Sequence, residues 1–220
     1  MTRLDVDAVL FDLDGTLADT AGDLAGALNR LRADRGLPPV PVDALRTHAS
    51  SGARGLLGAG LGLKPEDDGY GEARDAFLVH YEACLAQTTR LFDGIDDMLR
   101  AIESRGLAWG IVTNKAERYT GPVVLALGLA HRAGTIVSGD TTPHPKPHPA
   151  PLLHAASALR LAPQRCAYVG DDRRDIEAGN GAGMPTLVAN WGYMGNGDPP
   201  SDWPASAWLD HPADLRTLLG

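Results

Sequence analysis

Apolar positions along this chain change their period several times. Ala8-Val9-Leu10-Phe11 is an unbroken apolar run, the pattern of a strand buried on both faces of a parallel sheet. It stops abruptly at Asp12-Leu13-Asp14-Gly15-Thr16. Over residues 20–35 the period becomes helical, with Leu24, Leu28 and Leu31 on one face. Gly36 is placed to end that helix, and Pro38, Pro39 and Pro41 forbid its continuation. Residues 50–62 are rich in glycine and read as loose chain. A second helix is expected over residues 72–86, with Ala73, Phe77, Tyr81 and Leu85 on one face. No strand pattern is seen between Thr16 and Thr89, so this stretch predicts a small all-helical module.

Strand and helix then alternate. Ile95, Met98, Leu99 and Ile102 line a helix that Gly106 can close, and Trp109-Gly110-Ile111-Val112 is a strand ending at Thr113-Asn114. A helix over 120–127 leads to a strand at Thr135-Ile136-Val137. A helix over 151–161 follows, with Leu152, Ala155, Ala156 and Leu159 inward. Cys166-Ala167-Tyr168-Val169 is a strand ending at Gly170-Asp171-Asp172. Residues 173–182 read as a helix and Thr186-Leu187-Val188 as a strand, and the tail ends with Trp208-Leu209 and a short helix after Pro212. This alternation predicts an α/β, Rossmann-like parallel-sheet core with helices on both faces. The helical module interrupts it after the first strand. The expected organisation is a core of residues 1–16 and 90–220 with an all-helical cap of residues 17–89 inserted, hinged near Leu17 and at 89–92. Residues 191–204, rich in Gly, Asp and Pro, read as a surface loop.

Charge narrows the partners. The formal net charge is −8, and an acidic surface repels a phosphate backbone, so nucleic-acid binding is not expected. An anionic small substrate would have to be held by local cations. No apolar run approaches the roughly 20 residues that span a bilayer, and the start of the chain, Met1 to Asp7, lacks the apolar core of a secretory signal. Cys84 and Cys166 make no disulfide framework, and Cys166 reads as a buried thiol. These features predict a cytoplasmic protein, monomer or dimer, without membrane contact.

Ligands of an open parallel sheet sit outside the carboxyl ends of its strands. Four polar groups fall there: Asp12 and Asp14; Thr113 and Asn114; Lys146; and Asp171, Asp172 and Asp175. Asp12, Asp14 and Asp171 offer hard oxygens suited to Mg²⁺, which would also offset the repulsion between the carboxylates and a phosphate. Lys146, Thr113 and Asn114 could hold phosphoryl oxygens. A carboxylate can attack phosphorus, and a second acid is needed to protonate the departing oxygen. Taken singly, each group has a plainer reading. Asp-x-Asp before Gly-Thr can be a turn, Thr113-Asn114 a helix cap, Lys146 a solvated loop lysine, and the third acidic group a helical first turn favoured by the dipole. Their occurrence in order, each at a strand end, sets them apart.

Phe11-Asp12-Leu13-Asp14-Gly15-Thr16-Leu17, Val112-Thr113-Asn114-Lys115, Lys146-Pro147 and Gly170-Asp171-Asp172-Arg173-Arg174-Asp175 together resemble the four motifs of the haloacid dehalogenase superfamily, and the inserted module resembles its small helical cap. The resemblance implies Asp12 as nucleophile and magnesium ligand. It implies Asp14 as general acid and base, binding the metal through its backbone carbonyl. Thr113, with Asn114 beside it, would bind phosphate, and Lys146 would steady nucleophile and phosphate. Asp171 would be a metal ligand, with Asp175 close by, through water. Ser51-Gly52-Ala53-Arg54, Gly192-Tyr193 and Asp210-His211-Pro212 are similar to phosphoglycolate phosphatases and to the N-acetylmuramic acid 6-phosphate phosphatases. The expected substrate is therefore a small carboxylate-bearing phosphate ester.

Other residues are weighed against that scheme. Arg54, the one cation in the glycine-rich segment, either reaches a carboxylate of the substrate, which arginine can bind through two hydrogen bonds, or faces solvent. His144 and His148 flank Lys146, but the intervening prolines prevent a helical i, i+4 metal site, and they read as loop histidines. Trp191, Trp203 and Trp208 read as packing residues. A dehalogenase would need neither Asp14 nor the third acidic group. A phosphomutase of the β-phosphoglucomutase type shares the core and cap. A phospho-accepting signalling receiver shares the chemistry but would be shorter and lack a cap.

Overall fold

The computed structural model describes residues 3–195, 197 and 200–219. Met1 and Thr2, and three residues of the 191–204 loop, lie outside them. The chain opens with β1 (Ala8–Phe11), then β2 (Ala18–Asp19), α1 (Ala21–Asp34), α2 (Val42–Ala49), α3 (Gly52–Leu61), α4 (Tyr70–Ala83) and β3 (Arg90–Leu91). The alternating half holds α5 (Ile95–Ser104), β4 (Ala108–Val112), α6 (Glu117–Ala126), β5 (Thr135–Val137), α7 (Ala150–Ala158), β6 (Cys166–Gly170), α8 (Arg173–Gly181), β7 (Thr186–Ala189), β8 (Ala207–Leu209) and α9 (Leu215–Leu218).

Six strands form one sheet in the order β5-β4-β1-β6-β7-β8, and every pairing in it is parallel. The α/β parallel-sheet core read from the sequence is present. Its strands are continuous apolar runs because both faces are covered. Val9, Phe11, Trp109, Ile111 and Val169 join one layer, with α5 and α6; Leu10, Val112, Tyr168 and Leu152 join the other, with α7 and α8. After β1 the chain builds outward through β4 and β5, then returns to start again at β6 on the opposite side. That reversal beside β1 is the switch point at which such sheets hold ligands.

The segment between Thr16 and Thr89 differs in two respects from the sequence reading. Ala18–Asp19 is a strand, paired antiparallel with Arg90–Leu91; two residues are too few to show a period. The glycine-rich stretch is not loose chain: α3 runs through it, preceded by α2. Around them α1 and α4 close a separate apolar cluster of Leu24, Leu28, Leu45, Leu56, Leu57 and Phe77. Among the described residues no helix is long and apolar enough to cross a membrane.

Candidate active site

Strand register assembles the polar groups. Phe11 lies level with Ile111 on one side and with Val169 on the other. One residue later Asp12 stands between Val112 and Gly170, and its N–H donates to the Val169 carbonyl at 2.9 Å. The next step along the neighbouring strands brings in Thr113 and Asp171. Asp175 arrives on the first turn of α8, where its carboxylate accepts the Asp172 N–H at 3.1 Å.

Asp12, Asp171 and Asp175 are buried, and each offers an oxygen within 4.8 Å of the others. Lys146, 4% exposed, reaches them from the loop after β5. Its ammonium donates to Asp12 Oδ1 at 2.8 Å and to Asp175 Oδ1 at 2.7 Å. The Val112 carbonyl at 2.9 Å and the Tyr168 hydroxyl at 2.8 Å complete its surroundings. Backbone packing fixes the remaining carboxylate: Asp171 accepts from the Thr16 hydroxyl and from the Tyr193 N–H, each at 2.9 Å. A Cβ at Gly15 or at Gly192 would collide with that side chain, so only glycine lets these two backbones close around it.

Asp12 and Asp175 thus share one ammonium, and Asp171 beside them is held by neutral donors. Burial pushes the Asp12 carboxyl up to about 7; Lys146 opposes the shift, and the Asp175 and Asp14 charges add to it. Asp171 is raised well above the usual carboxylate range, by burial first and then by Asp12 and Asp175. Burial would push Lys146 down, but Asp12 and Asp175 outweigh it and hold the ammonium above its ordinary value. The cluster is short of positive charge, and its donors are hard oxygens. Such a set fits a divalent cation of the Mg²⁺ type.

Asp14 stands beside this cluster and not in it. Its Oδ1 accepts from Lys115 Nζ at 2.9 Å and from the Thr20 hydroxyl at 2.6 Å. Burial would lower Lys115, but Asp14 first and then Tyr81 more than compensate, and the ammonium stays charged. The Thr113 hydroxyl, buried, accepts the Lys115 N–H at 3.1 Å and keeps its own proton free to donate. Asn114 is engaged otherwise: its amide nitrogen donates to the Lys146 carbonyl and its amide oxygen accepts the Lys146 N–H, both at 2.9 Å. Its side chain grips a loop; the expectation had it on phosphate.

A cavity of about 520 Å³ opens over the cluster, walled by Asp12, Thr113 and Lys146 from the sheet and by Ser50, Phe77 and Tyr81 from the helical segment. Arg54 is exposed and is not part of that wall, because α3 turns it outward while Gly52 and Ala53 face inward. His144 and His148 are exposed, with ring centroids 4.7 Å apart, and belong to no metal-binding group among the described residues. Trp203 is buried in a small apolar cluster, and Trp191 donates to the Thr16 carbonyl at 2.9 Å. Sequence reasoning missed Tyr168, Thr16 and Arg174. A tyrosine inside a fully buried strand needs a partner for its hydroxyl, and that was the available signal for Tyr168. Arg174 pairs with Asp172 at 2.8 Å and donates to the Ser50 carbonyl at 2.7 Å, a contact no local pattern announces.

A parallel sheet with a switch point at β1, an inserted helical layer and a cluster of aspartates and a lysine at the strand ends defines a class of hydrolases. The model of haloacid dehalogenase-like hydrolases matches residues 9–189, and the chain belongs to that family. It is 42% identical over 219 residues to an N-acetylmuramic acid 6-phosphate phosphatase of Pseudomonas aeruginosa, covering 100% of this chain and 97% of that protein. It is also 42% identical over 212 residues to a phosphoglycolate phosphatase of Xanthomonas campestris, covering 94% of each. Among solved structures, one described as a "predicted phosphoglycolate phosphatase" from Haemophilus somnus superposes with a TM-score of 0.84 at 27% identity, over 99% of both chains.

Proposed function

We propose that the chain is a magnesium-dependent phosphomonoesterase acting on a small carboxylate-bearing phosphate, phosphoglycolate or N-acetylmuramic acid 6-phosphate. The observation that carries the reading is the buried trio of Asp12, Asp171 and Asp175 against a single lysine beneath the cavity. The names of the relatives supply the two substrates. Between them, a cavity of about 520 Å³ favours the sugar acid phosphate, since it falls within the roughly 300–1,000 Å³ of sites that enclose drug-sized ligands.

In this reading Asp12, Asp171 and the Asp14 backbone carbonyl hold Mg²⁺, with Asp175 behind them. When bound, the ion supplies positive charge to the phosphoryl oxygens and to the crowded carboxylates. Thr113 donates its hydroxyl to a phosphoryl oxygen, and Lys146 keeps the Asp12 carboxylate oriented. An Asp12 oxygen attacks phosphorus, the bond to the leaving oxygen breaks, and Asp14, which must enter this step protonated, delivers its proton to that oxygen. The product is an aspartyl-phosphate. Water then attacks the same phosphorus, Asp14 takes its proton, and phosphate leaves with Asp12 restored. Residues 17–89 act as a cap that excludes bulk water during the first step.

Steady-state kinetics with Mg²⁺ on the two phosphates, with Asp12→Asn as blank, tests the reading. Turnover of either one, abolished in the blank, is expected. Turnover that survives Asp12→Asn, or release of phosphate only in the presence of a sugar bisphosphate activator, overturns it.

A further inference from the structure

Five cationic side chains line the cavity: Arg74, Lys115, Arg118, Lys146 and Arg174. Three are already committed to buried or half-buried carboxylates, and the fourth, Arg74, makes an exposed pair with its sequence neighbour. Lys115 is 2.9 Å from Asp14, Lys146 is 2.8 Å from Asp12, Arg174 is 2.8 Å from Asp172, and Arg74 is 3.1 Å from Asp75. Arg118 has no carboxylate within ion-pair distance among the described residues. Arg118 is exposed at the cavity rim, and its guanidinium instead lies 4.5 Å from the centroid of the Tyr119 ring, a contact with an aromatic face that leaves its positive charge without a counter-ion.

The surrounding wall is aromatic. Tyr119 packs against Tyr81 of α4 with ring centroids 5.4 Å apart, and Lys115 Nζ lies 4.9 Å from the Tyr81 ring. Cationic charge and aromatic faces thus gather on one part of the cavity wall, where α6 meets α4.

We propose that Arg118 is the residue that selects for the carboxylate of the substrate, binding it with two hydrogen bonds while the phosphoryl group lies at Asp12. The assignment rests on the phosphomonoesterase reading above and replaces the role expected of Arg54. Arg118 lies on the first turn of α6, five positions after Thr113, so the strand end that receives the phosphate leads directly into the helix that would receive the acid.

The test compares N-acetylmuramic acid 6-phosphate with N-acetylglucosamine 6-phosphate, which lacks the lactyl ether and hence the carboxylate. The measured quantity is the ratio of their kcat/KM values. Arg118→Ala is expected to lower this ratio by about 10- to 100-fold, the worth of a hydrogen bond to a charged group, and Arg118→Lys to keep part of it. A ratio within about two-fold of wild type in Arg118→Ala overturns the assignment. If wild type hydrolyses both phosphates equally, the phosphatase reading stands and the assignment to Arg118 fails. If wild type hydrolyses neither, nor phosphoglycolate, the reading of the reaction falls and the assignment with it.

Discussion

Asn114 holds the main chain of Lys146 from both sides, donating to its carbonyl and accepting its N–H at 2.9 Å each. The pair joins the end of β4 to the loop after β5, and it sets where the lysine begins its reach towards Asp12. Asn114→Ala leaves the side chain of Lys146 chemically intact but frees its backbone. Removing both partners of a polar pair of main-chain groups costs about 1–3 kcal/mol. The expected result is a fall in kcat of about 10- to 100-fold, with KM changed far less, since Lys146 acts on the nucleophile and only secondarily on binding. A larger effect on KM than on kcat would return Asn114 to direct phosphate binding.

Tyr193 connects the metal-binding end of the sheet to the helical segment. Its N–H donates to Asp171, while its hydroxyl accepts the N–H groups of Thr20 at 2.6 Å and Ala21 at 2.9 Å and donates to Asp19 at 3.1 Å. It therefore caps α1 from outside, which frees the Thr20 hydroxyl for Asp14. Helix caps are worth about 0.5–2 kcal/mol. Tyr193→Phe should lower stability by about that amount in chemical denaturation, and should reduce kcat as Thr20 is drawn back to its own helix. Unchanged kcat with the expected loss of stability would confine Tyr193 to a structural role.

The sheet and its polar strand ends were legible because each rests on a local pattern. Val9, Ile111 and Val169 sit in continuous apolar runs, and chemistry begins where the runs end. The register that makes Asp12, Asp171 and Asp175 neighbours follows once those runs are placed side by side. Other features arise only from tertiary packing. Glycine lowers helix propensity, so α3 read as loose chain, yet Gly60 lies so close to Leu28 that any side chain would clash, and the helix is held by that approach. Arg54 attracted notice as the lone cation among glycines, whereas nothing in the local pattern singled out Arg118. Which of the two meets the cavity is decided by the direction in which α3 and α6 present their faces.

Lys146 is the one cation inside the trio, so its loss should be severe in two ways. Lys146→Met keeps the length and removes the charge. It leaves Asp12 and Asp175 buried without their partner, and breaking a buried pair from one side costs about 3–5 kcal/mol. Activity should fall by about 1,000-fold or more. Magnesium should restore part of the stability, because it returns positive charge to the same place. Thermal melts of the variant with EDTA and with Mg²⁺ check this: a gain on adding metal no larger than that of wild type would mean that the lysine and the metal do not share one charge deficit.

The raised Asp12 and Asp171 carboxyls give the metal-free protein an unusual dependence on pH. Asp12 titrates at about 7 in the folded state and near 4 in an unfolded chain. Between those values the folded protein keeps a proton that the unfolded chain has released. Stability must then fall as pH rises through that window, by at most about 1.4 kcal/mol per pH unit for one group. Asp171 extends the trend in the same direction. Magnesium competes with those protons, so its binding should release protons below pH of about 7 and tighten as pH increases. Urea denaturation of EDTA-treated protein measures the first effect. The stability of wild type relative to Asp12→Asn is expected to decline as pH rises from about 5 to about 8, and Mg²⁺ should abolish the decline. Calorimetric titration of Mg²⁺ in buffers of different ionisation enthalpy measures the second. Parallel stability profiles for wild type and Asp12→Asn, together with a metal-binding heat independent of buffer, would show that Asp12 is already ionised before the metal arrives and that the trio carries no charge deficit.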